Sequence, residues 1–552
     1  MNRNPWTYAD EHTCKTLLNC YLRECEGTFI YKEEDHSYEI PFPSSRATIT
    51  GKLTYYSAMG EHEYQSYFIR QQRIDYMDIA SLIVKELESS HSTLSQTEKM
   101  IFQKKVSNSF HKLHIFLSQM NDRPVRDYIS SEQSLIHGHP FHPFPKNREG
   151  FYADEINRYS PECHTAFQLG YVAVKEEAYV EKWVHERIQF PEQLMVEVKR
   201  RLGDDDECYR LLPMHPWQYE HVQRVPEIKA AIVKGTLRFL GKFGPMAHPT
   251  SSVRTVYVPE MTCNLKLPLD VQITNLKRNN TVEQMRRTLQ ATKYLIDNEC
   301  FSNEPYTQIS YETATASCHF NDEKLKSLFT YAYRPVNFDT SRTVIASSLV
   351  EWNPSTDCYQ LEQVVGRKDI EEWFERYLEI SLVPIVRLVE DQGVHFEAHL
   401  QNCLVTLDEG LPIQFIIRDL EGVSVERDKA TNDDDDIEHS YLFYSTQAAR
   451  ERTIYYFFVN HLGSLIHVIA QLCNVSEQKI WQRVDDVLER EYVQTNNQFV
   501  KEIRESESFI AKTNMVSCLL SKGETPSFVR VNNVMHATRR DLDVPKQPVE
   551  IQ

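Results

Sequence analysis

The sequence predicts an α+β fold divided among several domains, on three observations. The chain has 552 residues, more than one hydrophobic core organises, so roughly two to four domains are expected. Apolar residues make up 41% and charged residues 25% of it, the balance of an ordinary globular protein with ample core material. Strand-like and helix-like periodicities both occur, without the regular alternation that builds parallel βαβ units.

The amino-terminal segment mixes short strand-like runs with the helical stretch DIASLIVKELESS. FPEQLMVEVKRRL is helical. The acidic GDDDE (203–207) after it, like NDDDDIE (432–438), is expected to be a solvated loop. SSVRTVYV and LDVQITN are expected strands; in the second, Leu269, Val271 and Ile273 alternate with Asp270, Gln272 and Thr274. TVEQMRRTLQATKYLI opens with the capping-box pair Thr281 and Gln284 and continues as a helix. IEEWFERYLEISLVPIVRLVED is a second long helical pattern. IYYFFVNHLGSLIHVIAQLC (454–473) has nearly the length of a membrane span, but Asn460, His461, His467 and Gln471 interrupt it, so a buried helix is expected. Pro and turn residues concentrate near 139–149 and 243–252, where site loops are expected.

A formal charge of −18 argues against a nucleic-acid binder or a binder of anionic membranes, both of which need a basic surface. The first residues, MNRNPWTYADEHTCKTLLNCY, lack the apolar core of a signal peptide. The twelve cysteines form no CxxC pair, which fits reduced thiols in a cytoplasm. No Walker loop, GxGxxG or GxSxG is present.

Three groups of residues carry the chemistry. HFEAHLQNCLV (395–405) is expected as a strand with His395, Glu397, His399 and Gln401 on one face, a row costly to bury without a ligand. LPIQFIIRDLEG (411–422), joined to it by the TLDEG turn, would bring Asp419 near Glu397 and Asn402. Those oxygen donors suit magnesium shared with nucleotide phosphates. In HPTSSVRT and the strands after it, Ser251, Ser252, Arg254, Thr255, Lys266 and Arg278 make a cradle for a polyanion such as triphosphate or citrate. Alternation would put Ser252, Arg254 and Val256 on one face. GHPFHPFPKNREGF (138–151) holds His139, His142, Lys146 and Arg148 on a proline-stiffened loop, better suited to an anion than to a metal. LLPMHPWQYEH adds a further His-Pro pair at His215.

Together these stretches, in order between about residues 138 and 422, resemble the NRPS-independent siderophore synthetases of the aerobactin-synthetase (IucA/IucC) family. The resemblance implies a cupped hand of thumb, fingers and palm, placed here at 1–130, 131–335 and 336–552. It implies a homodimer that uses ATP and Mg²⁺ to adenylate a carboxylate, usually citrate or a citrate derivative, before an amine or alcohol attacks. By the same resemblance Ser252, Arg254, Thr255, Lys266 and Arg278 would hold phosphates and the carboxylate substrate, Lys266 and Arg278 acting in catalysis. His139, His142 and Lys146 would assist at the substrate. Gln401, Asn402 and Asp419 would meet the nucleotide, with Glu397, Asn402 and Asp419 organising magnesium and His399 catalytic at the substrate. His395 is expected to be a tolerated neighbour.

Two other readings compete. EAHLQN has the D-x-H-x-x-N spacing of aminoglycoside-kinase-like phosphotransferases, but Glu397 stands where a kinase carries its catalytic Asp, and no glycine-rich loop precedes it. Products separate the two: AMP and pyrophosphate against ADP and a phosphorylated acceptor. A metal-binding protein using His395, Glu397 and His399 would leave Arg254, Lys266 and Arg278 unexplained.

Overall fold

The first helix, Pro5–Glu24, starts where the Asn4 side chain accepts from Trp6 N and proline occupies the first turn. Its apolar side, with Ala9, Leu17, Leu18 and Tyr21, is buried in the larger hydrophobic core. Its polar stripe of Tyr8, Glu11, His12 and Lys15, at helical spacing, turns into a central cavity instead. The computed structural model describes residues 4–536 apart from 26, 92, 121–123, 367–369, 431–440 and 523–526. The acidic run at 432–438 therefore lies outside the described residues.

The expected α+β class is present, built largely on antiparallel sheets. The largest has eight strands in the order Tyr209–Met214, Phe167–Lys175, Leu237–Pro249, Thr255–Val258, Cys263–Lys266, Tyr331–Pro335, Ala314–Cys318 and Tyr179–Trp183. Leu269–Ile273 forms a strand with Leu269, Val271 and Ile273 buried, as its alternation requires. Val282–Asp297 is a helix whose Thr281 and Gln284 close the capping box. The first hundred residues share one hydrophobic core with the eight-stranded sheet. A second core gathers the long helix Ile370–Gln392 and the helices after it. The short helix Asn514–Leu519 returns to the first core, where the Glu24 carboxylate accepts from Met515 N and Val516 N at 2.9 Å each.

The strands Cys403–Asp408 and Leu411–Arg418 form the expected hairpin. The segment before it departs from expectation. Strand pairing stops at His395, and Leu400–Asn402 is a single 3-10 turn. His399 N bonds to Glu397 O and Asn402 N to His399 O, so local turns replace a ladder and the polar row does not share one strand face. The same correction applies to SSVRT. Only Thr255–Val258 is strand, and Ser251–Arg254 form the turn before it, so Ser252, Arg254 and Val256 are not aligned on one face.

His395 is 1% exposed, held by Thr453 Oγ1 at 2.9 Å and Glu426 Oε1 at 3.3 Å. It is structural, which corrects the expectation of a tolerated neighbour. His395→Ala should cost about 2–4 kcal/mol, from the void and the weakened buried network. A melting curve superimposable on the wild type would refute this.

The segment Thr446–Cys473 runs as helix throughout, with a π-helical stretch at Ile454–Leu462. Its most apolar window is 78% buried inside the protein, so it is a core helix. Arg452, Tyr456, Asn460 and Ser464, four residues apart, present one polar edge to the cavity.

Candidate active site

Every residue given a role from the sequence, from His139 on the HP loop to Asp419 beyond the hairpin, lines a single cavity of about 1770 Å³. One wall is the turn Ser251–Arg254. Val253 sits there at φ 69°, a left-handed conformation that strains a β-branched residue. The turn is pinned by Val253 N to Thr250 O at 2.8 Å, Thr250 N to Thr255 O at 2.9 Å and Thr255 N to Ser252 Oγ at 3.1 Å. Beyond it Thr255 pairs across the strands with Lys266.

Lys266 is the hub. Its Nζ lies 2.6 Å from Asp419 Oδ1 and 3.1 Å from Glu421 Oε2, with its side chain 3% exposed. Burial opposes the charge of Lys266, yet the two carboxylates hold it protonated above its ordinary range. Asp419, raised by burial, is brought far below the carboxylate range chiefly by Lys266 and then Arg334. Asp419 itself is left-handed, at φ 68°. The chain after it is fixed where Leu420 N donates to Glu312, which also receives Arg334 Nε at 2.8 Å. The chain before it is fixed by Arg418, which pairs with Glu132 at 2.5 Å and donates to Gln401 O at 2.8 Å.

Beside this hub are two guanidiniums. Arg254 donates to Asn280 Oδ1 at 2.5 Å, and Arg278 to Thr274 Oγ1 at 3.1 Å. Among the described residues Arg278 Nε has no hydrogen-bond partner. Burial first, and Arg254 second, push Arg278 down to about 10. An anion between the two would relieve both effects.

The HP loop adds neutral donors. In His139, His142 and His215 the same local turn recurs, with Nδ1 accepting from the backbone N–H two residues on, at 3.0, 3.2 and 3.1 Å. With Nδ1 occupied as an acceptor, the proton belongs on Nε2. Burial pushes all three imidazoles down to about 3, so His139 and His142 are uncharged N–H donors at the cavity wall. Lys146 also borders the cavity, but its Nζ is tied to Leu135 O at 2.5 Å and Glu162 at 2.8 Å, which makes it a brace for the loop.

The three oxygen donors read as magnesium ligands border the same cavity but have separate partners. Glu397 pairs with Arg452 at 2.6 Å, and Asp419 with Lys266. Asn402 Nδ2 donates to Glu397 O at 3.1 Å. Gly422 is required where it stands, because a Cβ there would come within 2.4 Å of the Glu397 side chain. Arg452 and then Lys512 bring Glu397 below its usual range against the effect of burial. Burial keeps His399 neutral, with its ring 5.7 Å from that of Tyr456. Gln401 reaches Ser251 Oγ at 3.1 Å. Among the described residues no group of three His, Cys, Asp or Glu is arranged to hold a metal by itself.

Arg452, Tyr456 and Lys512 are absent from the sequence reading. Arg452 and Tyr456 were signalled only by the four-residue spacing of polar positions that continues into the apolar 454–473 run, and Lys512, on the strand Ser508–Lys512, had no such signal.

A cavity lined by fixed cations and by neutral N–H donors is suited to holding polyanions. Comparison with known proteins gives its family. Residues 127–350 match the IucA / IucC family, and residues 371–527 match the family described as ferric iron reductase FhuF-like transporter. The L-2,3-diaminopropanoate–citrate ligase of Staphylococcus aureus is 32% identical, over 96% of this chain and 97% of its own. The spermidine-citrate ligase of Bacillus anthracis is 26% identical, over 92% and 94%. The ATP-bound structure of aerobactin synthetase IucA from a hypervirulent Klebsiella pneumoniae superposes with a TM-score of 0.86 at 20% identity, covering 95% of this chain and 99% of that one. The chain belongs to the IucA/IucC family of siderophore synthetases, and the phosphotransferase reading is set aside.

Proposed function

We propose that the protein adenylates one carboxylate of citrate or a citrate derivative and transfers the acyl group to an amine or alcohol. The observation that carries this is that the cations Arg254, Lys266 and Arg278 and the neutral donors His139 and His142 line one cavity. In the first half-reaction a carboxylate oxygen attacks the α-phosphorus of ATP, and the bond to the bridging oxygen breaks to release pyrophosphate. Two anions must approach, so fixed cations and N–H dipoles lower the barrier without reorganising. Arg278, with an unpartnered Nε, draws the carboxylate in. In the second half-reaction the nucleophile attacks the acyl carbon and AMP leaves, and neutral His399 would accept the proton.

ATP arrives with Mg²⁺, whose charge would offset that of the phosphates when bound. Asn402 and Asp419 supply oxygen donors of the right kind. Glu397 would join them only by giving up Arg452. The thumb, fingers and palm would then enclose the cavity as a cupped hand. The free cysteines fit a cytoplasmic enzyme, and a homodimer is expected; light scattering that shows only monomer would refute the dimer.

The deciding experiment is a pyrophosphate-release screen over citrate, citryl monoamides, α-ketoglutarate and succinyl hydroxamates crossed with amines and alcohols. AMP and pyrophosphate are expected in equal amounts. No release with any acid by folded protein would end the ligase reading.

A further inference from the structure

Away from the cationic wall, the cavity runs between the first helix and the 446–473 helix into a chamber of opposite charge. Glu61 and Glu63, from the segment after the Ala47–Tyr55 strand, and Glu351 line it, and Glu477 is joined to it through His467. Most of these carboxylates are matched. Lys15 meets Glu63 at 2.8 Å, His467 meets Glu477 at 3.1 Å, and His137 meets Glu351 at 2.7 Å. Glu61 is the exception. Among the described residues it makes no ion pair, and its one hydrogen bond in the chamber is from the Ser464 hydroxyl at 3.3 Å.

The charges do not cancel. His467 is pushed up to about 10, where Glu61, Glu477 and Glu63 overcome its burial, so it is a cation. His12 is held neutral by burial and by His137. Four carboxylates, Glu61, Glu63, Glu351 and Glu477, thus stand against three cations, Lys15, His467 and Arg23, with Glu351 bonded to the His137 imidazole. Burial raises Glu61 although His467, Lys15 and Arg23 draw it down, so it has cations nearby but no direct ion-pair partner among the described residues. Trp352 and Tyr359 line the same chamber and offer the aromatic faces that ammonium groups prefer. His137 and His139, two residues apart, join the chamber to the catalytic half of the cavity.

We propose that this chamber binds the non-reacting ammonium group of the amine substrate, so that the enzyme selects diamines and diamino acids over monoamines and amino alcohols. The proposal rests on the reading that an amine is the second substrate. A polycarboxylate or a triphosphate would be repelled from this half and confined to the cationic one, which separates the two substrates by charge.

The test compares ethylenediamine with ethanolamine, which differ only in whether the far end carries a charge. With citrate and ATP, the wild type is expected to favour the diamine in kcat/KM by at least about tenfold, the size of one partly buried ion pair. Glu61→Gln should raise the diamine KM by about tenfold and collapse that preference, the loss falling on the amine KM and not on the citrate KM. Equal use of both amines by the wild type, or a preference that survives Glu61→Gln, would overturn the proposal. If the wild type released no pyrophosphate with any amine, the adenylation reading would fail alone. The chamber would then be judged by the melting shift that ethylenediamine, but not ethanolamine, gives the wild type and not Glu61→Gln; no such shift would overturn it. Should Glu61→Gln not fold, Glu61→Asp, which withdraws the charge, is expected to show a partial loss of the same preference.

Discussion

Replacing Lys266 by Met is expected to abolish adenylation and to destabilise the protein. The ammonium of Lys266 holds Asp419 and Glu421 together inside the cavity. Without it the two carboxylates lose their nearest counter-charge, leaving Asp419 to Arg334 and Arg254, where the phosphates of ATP must enter. Removing one partner of a buried pair costs about 3–5 kcal/mol, and less here, because the Asp419 and Glu421 side chains are 34% and 25% exposed. Losing a fixed cation at developing negative charge costs roughly 10²–10³-fold in rate, and the exposed carboxylates add repulsion to that. Citrate-dependent pyrophosphate release should therefore fall by at least about three orders of magnitude. Lys266→Arg should recover most of the stability and little of the activity, because its planar fork cannot occupy the position of a compact ammonium. Turnover within about tenfold of the wild type by Lys266→Met, with an unchanged melting curve, would remove Lys266 from the mechanism.

The second large effect is expected at Glu397. Glu397→Gln keeps the shape that packs on Gly422 but removes the charge facing Arg452 and Lys512. A loss of roughly 10²-fold in kcat is expected, with little change in the carboxylate KM. The structure adds a comparison that separates two causes. If Glu397 acts by holding Arg452 in place, Arg452→Gln will reproduce the defect at any magnesium concentration. If it acts through magnesium, Glu397→Gln alone will demand more of the ion. Near wild-type turnover of Glu397→Gln in limiting magnesium would make the residue structural.

Much of the site was legible because its residues are unusual for their surroundings. Polar groups gathered between apolar runs, as in EAHLQN and RDLEG, cannot be buried without partners, and histidine before proline has a stiff local turn. Those features are local, so sequence carries them. The strand expected through His395–Gln401 failed for a related reason. Alternation cannot distinguish a ladder from a loop whose side chains all meet one cavity, and the backbone bonds that decide are not encoded by polarity. Lys146 was expected at the substrate and instead binds Glu162, a partner sixteen residues away in sequence. The role of the first helix was hidden because a polar stripe looks the same whether it faces solvent or an interior chamber.

The contact of Glu24 with Met515 N and Val516 N has a temporal meaning. The two ends of this bond are separated by more than 490 positions in sequence. Closing so large a loop is entropically costly, and contacts of such separation form slowly. During synthesis the amino-terminal core must therefore wait, one flank still open, for more than 490 further residues to emerge. The cavity edge supplied by Asn514, Ser517 and Cys518 is absent until that closure. A ribosome that stopped short of this helix would release a chain with both halves of its reaction chamber made and the seam between them unsealed.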